Sequence, residues 1–193
     1  MSNLARIERL RLVDSARRAG EDAPTLCEGW TARDLATHLI IRERHPAAAM
    51  GIVMSKFAGK REAQEREYAS MPYSELLGLV ASPPRWTPGG WPGVESVMNT
   101  AEFVVHHEDI RRAAIEWIPR RLSSQENTTV WAQCKTALIP FGAKAKSRVE
   151  INAPGNGRRS AGGKGEGITI TGEPVEILLY LMGRERHALV DVK

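Results

Sequence analysis

Cysteine is scarce in this chain: only Cys27 and Cys134 occur in 193 residues. Two isolated thiols build no disulfide framework, and neither sits in a CxxC or CxxxH spacing that would signal structural zinc. A reduced cytoplasm is the expected setting. Long apolar runs are also missing. No stretch of 18 apolar residues exists, so no membrane-spanning helix is expected. The opening residues MSNLARIERLR hold no apolar export-signal core, and export is not expected. A large surplus of one charge is absent as well. The formal net charge is +4, from 27 basic and 23 acidic side chains. Most of these interleave, as in RIERLRLVDSARR and KREAQERE, which reads as solvated helix faces and argues against a nucleic-acid partner. There is no internal repeat.

What is present is 42% hydrophobic residues, enough to bury a core without disulfides, in one compact domain or one domain with a small appendage. Leu4, Ile7, Leu10 and Val13 recur at spacings of three, predicting a helix over 3–19 with Gly20 as its stop. The connector GEDAPTLCEGW follows. Thr31 then reads as an N-cap with Asp34 as its capping-box acid, opening a helix to about Arg44, before Pro46. Both halves of residues 47–70 read as helical, with Gly51 and Gly59 weakening the pattern, and SELLGLVAS reads as a short helix capped by Ser74. The stretch SPPRWTPGGWPG at 82–93 is a loop in which Trp86 and Trp91 either anchor on the body or one of them helps wall a pocket. A strong helix covers 94–116, and another runs from Ser124 to about Leu138, before Pro140.

Beyond residue 145 the period changes. SRVEINA and GITIT alternate as strands do, with GNGRRSAGGKGEG read as a flexible hairpin loop between them. That loop lacks the register of a phosphate-binding loop, because Lys164 is followed by Gly165. EPVEILLYLMG is a short helix with Pro174 near its first position, and HALVDV a last strand. The expected organisation is mainly α: a helical bundle over residues 1–143, then a small C-terminal α+β domain over 144–193.

The chemistry concentrates in NTAEFVVHHED. Glu102 and His106 are four residues apart, about 40° around a helix axis, and Asp109 returns to the same stripe. Val94, Met98, Ala101 and Val105 lie beside them, so the polar stripe borders an apolar face. A carboxylate beside a core is costly unless it is paired or binds a cation. Glu-x-x-x-His supplies an oxygen and a nitrogen ligand from adjacent turns, and His38 is the best third donor, three residues after Leu35 on its own amphipathic helix. Three ligands of this kind leave a coordination position open, as catalytic zinc sites do, although nickel, manganese and iron also take such donors. The bland alternative is a boundary histidine and a helix-surface pair worth a few tenths of a kcal/mol.

Other residues have alternatives too. Cys27 is either a nucleophile or a small buried side chain. Trp30 reads as a hydrophobic staple. Asp34 either caps its helix or orients an imidazole, and Asp109 either accepts from a ligand histidine or pairs with Arg112 or Arg44. His45 and His107 are expected at the surface.

Two segments resemble a known family. LCEGWTARDLATHL is similar to one signature of the mycothiol-dependent maleylpyruvate isomerase N-terminal domain family, and EFVVHHEDIRRA to another. These belong to the wider DinB/YfiT-like metalloenzymes, and the actinobacterial metal-binding subfamily of unassigned function is the nearest in pattern. EPVEILLYLMGR is similar to the small C-terminal domain of such proteins. The resemblance implies a DinB-like four-helix bundle with a small C-terminal α+β segment. It implies His38, Glu102 and His106 as metal ligands, a divalent metal such as Zn2+, and mycothiol as cosubstrate. The family's substrate-binding arginine has no clear match; Arg184 in LMGRER is the nearest candidate, with Asp109 a second catalytic candidate.

The expected function is a metal-dependent enzyme using a low-molecular-weight thiol, of S-transferase or isomerase type, with a small-molecule electrophile as partner. The alternatives are a hydrolase activating water at the same site and a non-catalytic metal-binding or regulatory bundle. The bundle faces would permit a homodimer, which nothing in the sequence decides.

Overall fold

The computed structural model describes residues 4–45, 48, 58–84, 94–145 and 147–193, with no side-chain description for 58 and 94–98. Trp86 and Trp91 lie outside these residues. The chain forms two compact units that divide between Trp117 and Ile118.

The first unit is helical. Helix α1 (Leu4–Ala19) packs along α5 (Val94–Arg112), while α2 (Ala32–Arg44) packs against α3 (Ala58–Ala69) and α4 (Tyr73–Ala81). Residues spaced by three fall 60° short of a full turn at each step, so a stripe of Leu4, Ile7 and Leu10 walks off the buried face. Accordingly Leu10 is exposed and Ile7 half-buried, while Leu4 and Val13 stay inside with Ala5, Arg9, Leu12 and Ala16. Gly20 ends α1 with φ 92°, the left-handed geometry that a residue with a Cβ avoids. Thr31 and Asp34 form the expected capping box at the start of α2. Ser74 does not cap α4: the helix begins at Tyr73 behind Pro72, without a side-chain cap. The core joins Leu12, Leu35, Leu39, Leu76, Leu77 and Phe103.

Through this core runs a chain of buried polar groups. Arg9 is fully buried and grips both carboxylate oxygens of Glu43, at 2.6 and 2.7 Å. It also donates to the Val80 carbonyl at 2.9 Å and lies 4.1 Å from the Phe103 ring centre. A charge without such partners would not be tolerated there. His107 is buried as well, contrary to its expected surface position. Its Nδ1 lies 3.0 Å from Glu8 and its Nε2 3.0 Å from Ser15, so it clamps α5 to α1. His45 is half-buried, 2.7 Å from the Tyr68 hydroxyl.

The second unit places α6 (Ser124–Lys144) and α7 (Pro174–Leu181) with a four-stranded sheet. Helix α6 starts at a Ser123/Glu126 capping box and runs through Pro140 instead of stopping before it. Its last turns pack on the sheet: Gly142 sits where a Cβ would be 2.8 Å from the Ala161 Cβ. The segment read as a flexible loop contains a strand. The order is β2 (Gly157–Gly162), β1 (Arg148–Ala153), β3 (Gly167–Thr171), β4 (Asp191–Val192). β1 is antiparallel to β2 and parallel to β3, so GITIT is not the second arm of a hairpin with SRVEINA. Val149, Ile151 and Ala153 alternate inward along β1, and Pro174 opens α7.

Candidate metal centre

Three side chains from α2 and α5 converge in the first unit. The capping box fixes where α2 begins and therefore which way His38 faces, two turns later. His38 Nε2 lies 3.2 Å from Glu102 Oε1, and His106 Nε2 lies 3.3 Å from the same oxygen. The two imidazole rings are 5.3 Å apart, edge to face. One ligand atom from each of His38, Glu102 and His106 falls within 4.8 Å of the others. Residues distant in sequence are thus brought together as expected.

Donors around a tetrahedral ion stand apart by about 1.6 times the bond length, or ~3.3–3.6 Å for bonds of 2.0–2.2 Å. The separations of 3.2 and 3.3 Å lie at the short edge of that spacing, where the two imidazoles hydrogen-bond to Glu102. Two imidazole nitrogens and one carboxylate oxygen are also a donor set that zinc and related divalent ions take. The residues fit the group.

Arg42 had no part in the sequence reading. It lies four residues after His38, on the same face of α2, which is the signal that would have found it. Its Nε stands 3.3 Å from Glu102 Oε1, and its Nη1 donates to Asn99 at 2.7 Å. Asn99 in turn donates to Glu43 at 3.2 Å, joining the centre to the buried Arg9 pair. Burial alone would raise the Glu102 carboxyl; hydrogen bonds from His106 and His38 and the nearby charges of His106 and Arg42 instead hold it well below the usual range. Burial would likewise lower His106, but hydrogen bonds to Asp109, Cys27 and Glu102 hold it well above its ordinary value.

Asp109 is fully buried, and its Oδ2 lies 2.8 Å from His106 Nδ1. Arg112 pairs with Glu108, and Arg44 donates to the carbonyls of Leu79 and Ser82. Asp34 is engaged with Thr31 at the helix cap. Arg184 belongs to the second unit, where it donates to the Met182 carbonyl.

A cleft of about 860 Å3 adjoins His38. One wall is a stripe of α2 and its cap, with Trp30, Arg33, Thr37 and His38; the other is α3, with Arg61 and Arg66. The Trp30 indole packs 5.1 Å from the His38 ring, beyond the stapling role read for it. Cation and carboxylate alternate along the lining, with Arg33 paired to Glu21 and Arg61 to Glu65.

A helical bundle with histidine and carboxylate donors meeting between two of its helices, followed by a small mixed unit, defines a DinB-like fold. Residues 4–82 match the family model described as the mycothiol maleylpyruvate isomerase N-terminal domain, the family that LCEGWTARDLATHL resembles. Glu102 and His106 lie beyond the matched segment. The crystal structure of the mycothiol-dependent maleylpyruvate isomerase is similar over 98% of this chain and 90% of its own, at 18% identity and a TM-score of 0.65. That of a histidine-to-alanine mutant of the enzyme is similar over the same shares, at 17% identity and a TM-score of 0.63. At such identities the likeness establishes the fold. No curated protein matches the sequence. Among the described residues no helix is long and apolar enough to cross a membrane.

Proposed function

We propose that the chain is a divalent-metal enzyme, with zinc as the expected ion, that uses a low-molecular-weight thiol such as mycothiol in an isomerisation or S-transfer. The observation that carries this reading is the meeting of His38 and His106 on one oxygen of Glu102 at ligand-like spacing. His38, Glu102 and His106 would hold the ion. When bound, it would supply Lewis acidity that brings a thiol to its thiolate near neutral pH. The family match over 4–82 and the thiol-dependent isomerase fold favour a thiol over water as the group activated.

The chain's own residues do the rest. Arg42 favours ionised Glu102. Trp30 provides an aromatic wall beside His38, and the paired charges of Arg33 and Arg61 give the cleft hydrogen-bonding walls without a strong net sign. A volume near 860 Å3 accommodates a thiol cosubstrate together with a small electrophile. A cytoplasmic thiol pool is the setting in which such a centre would work.

Elemental analysis of the purified chain beside His38→Ala and His106→Ala tests the ligand set. About one divalent ion per chain is expected in the wild type, with loss in each folded variant. Metal retained by both variants defeats the assignment. Turnover of maleylpyruvate by the loaded chain should require added mycothiol. Hydrolysis of test esters or amides at the same centre without any thiol would instead favour the hydrolase reading.

A further inference from the structure

We infer that Cys27 and Asp109 act as a positioning pair that fixes which nitrogen of His106 faces the metal centre. This rests on the metal reading above.

His106 is engaged at both ends of its ring: Nδ1 lies 2.8 Å from Asp109 Oδ2, and Nε2 lies 3.3 Å from Glu102 Oε1. A neutral imidazole has one N–H and one lone pair. A carboxylate at Nδ1 holds the N–H there, so the proton His106 shares with Glu102 in the metal-free centre is the one a bound ion would displace, leaving the Nε2 lone pair for the ion. The opposite tautomer would set a lone pair against the Asp109 carboxylate and a proton where the ion must sit.

Asp109 can perform this task only if it stays put. It is fully buried on α5, three residues after His106. Two contacts from the connector before α2 reach it. The Cys27 thiol donates to Oδ2 at 3.3 Å, the same oxygen that takes His106, and the Leu26 backbone N–H donates to the Asp109 carbonyl at 3.1 Å. The segment that leads into the His38 helix is therefore fastened to the residue that orients His106. Both ligand histidines are placed by one junction.

The donor atoms of Cys27, His106 and Asp109 also lie within 4.8 Å of one another, the spacing of a second candidate ion site. Here the groups already satisfy one another, since the Cys27 thiol and His106 Nδ1 both reach Asp109 Oδ2. The 2.8 Å between His106 and Asp109 is a hydrogen-bond length.

The test uses the full chain with Asp109→Ala, Asp109→Asn, Cys27→Ala and Cys27→Ser. Zn2+ affinity is measured by competition with a chromophoric chelator, and geometry by the absorption spectrum of the Co2+-loaded protein. Asp109→Ala should bind Zn2+ about 10–100-fold more weakly at unchanged stoichiometry. Asp109→Asn should shift the Co2+ bands, because the carboxylate that orients His106 has become an amide. Cys27→Ala should lose a smaller part of the affinity, and Cys27→Ser should recover it through its hydroxyl donor. Wild-type affinity in Asp109→Ala, while His38→Ala abolishes binding, overturns the positioning role and leaves the metal reading standing. Retention of Zn2+ by His38→Ala and His106→Ala overturns the metal reading itself. A second equivalent of Zn2+ that disappears in Cys27→Ala makes these residues ligands and also overturns the proposal. If Asp109→Ala does not fold, the cysteine variants decide, and wild-type affinity in Cys27→Ala refutes the pair.

Discussion

Replacing Arg9 with alanine is expected to destabilise the N-terminal unit by about 3–5 kcal/mol, the range for breaking a buried ion pair from one side. The guanidinium is fully buried and holds Glu43 through two hydrogen bonds of 2.6 and 2.7 Å. Alanine removes that countercharge, the bond to the Val80 carbonyl and the stacking on Phe103, while Glu43 stays inside with the Asn99 amide as a neutral donor. Unit charges about 4 Å apart attract by ~4 kcal/mol at an effective dielectric near 20, which falls in the same range. Typical domains have only about 5–15 kcal/mol of stability in all. Urea unfolding with hydrogen exchange read at α1 and α2 amides should therefore show a midpoint lower by about 2 M, for a slope near 2 kcal/mol per M. The double variant Arg9→Leu/Glu43→Met leaves no buried charge behind and should lose less than the single one. An Arg9→Ala variant within about 1 kcal/mol of the wild type, or a double variant as unstable as the single, would refute the buried pair's role.

Stability of the metal-stripped chain should depend on pH through the Glu102–His106 contact. His106 is raised above its ordinary 6.5, so its contribution is complete below that value and fades as pH rises through the folded pKa; Glu102 is lowered from 4.5, so its contribution is complete above that value and fades as pH falls through the folded pKa. Melting temperature in EDTA should peak between these ordinary values and fall toward alkaline pH, and His106→Asn should flatten the alkaline limb; an unchanged limb contradicts the assignment. In the second unit, Gly142→Val should cost about 1–3 kcal/mol by overpacking, because its Cβ would meet the Ala161 Cβ at 2.8 Å and the Gly162 nitrogen at 3.0 Å. Faster amide exchange across β2 is the readout, and unchanged protection there would show that the contact is not tight.

Local rules set the facing of each member of the triad, and the family resemblance joined His38 to Glu102 and His106 across the chain. Thr31 and Asp34 mark the start of α2, which sets the facing of His38, and a four-residue spacing puts Glu102 under His106. The buried ion network was not legible. Glu8, Arg9 and Glu43 look like solvated charges in an interleaved run, and only the tertiary packing of α1 against its neighbours shows them inside. His107 was misplaced for the same reason, its partners Glu8 and Ser15 lying on α1. In the second unit, glycine density hid β2: GRRSAG has almost no alternating apolar signal, and its order comes from pairing with β1. Pro140 suggested a stop that packing overrides, since Leu138 and Gly142 on either side of it are both buried.

Arg42 touches two systems at once, Asn99 through Nη1 and Glu102 through Nε. Whatever occupies the cleft or the centre and shifts Glu102 therefore acts on a side chain that also belongs to the polar spine of the bundle. Binding to the folded form alone adds about 2.7 kcal/mol of stability at a hundredfold excess over Kd. A compound library can thus be ranked by melting curves before any turnover assay exists, with Arg42→Met showing whether a hit is felt through that guanidinium.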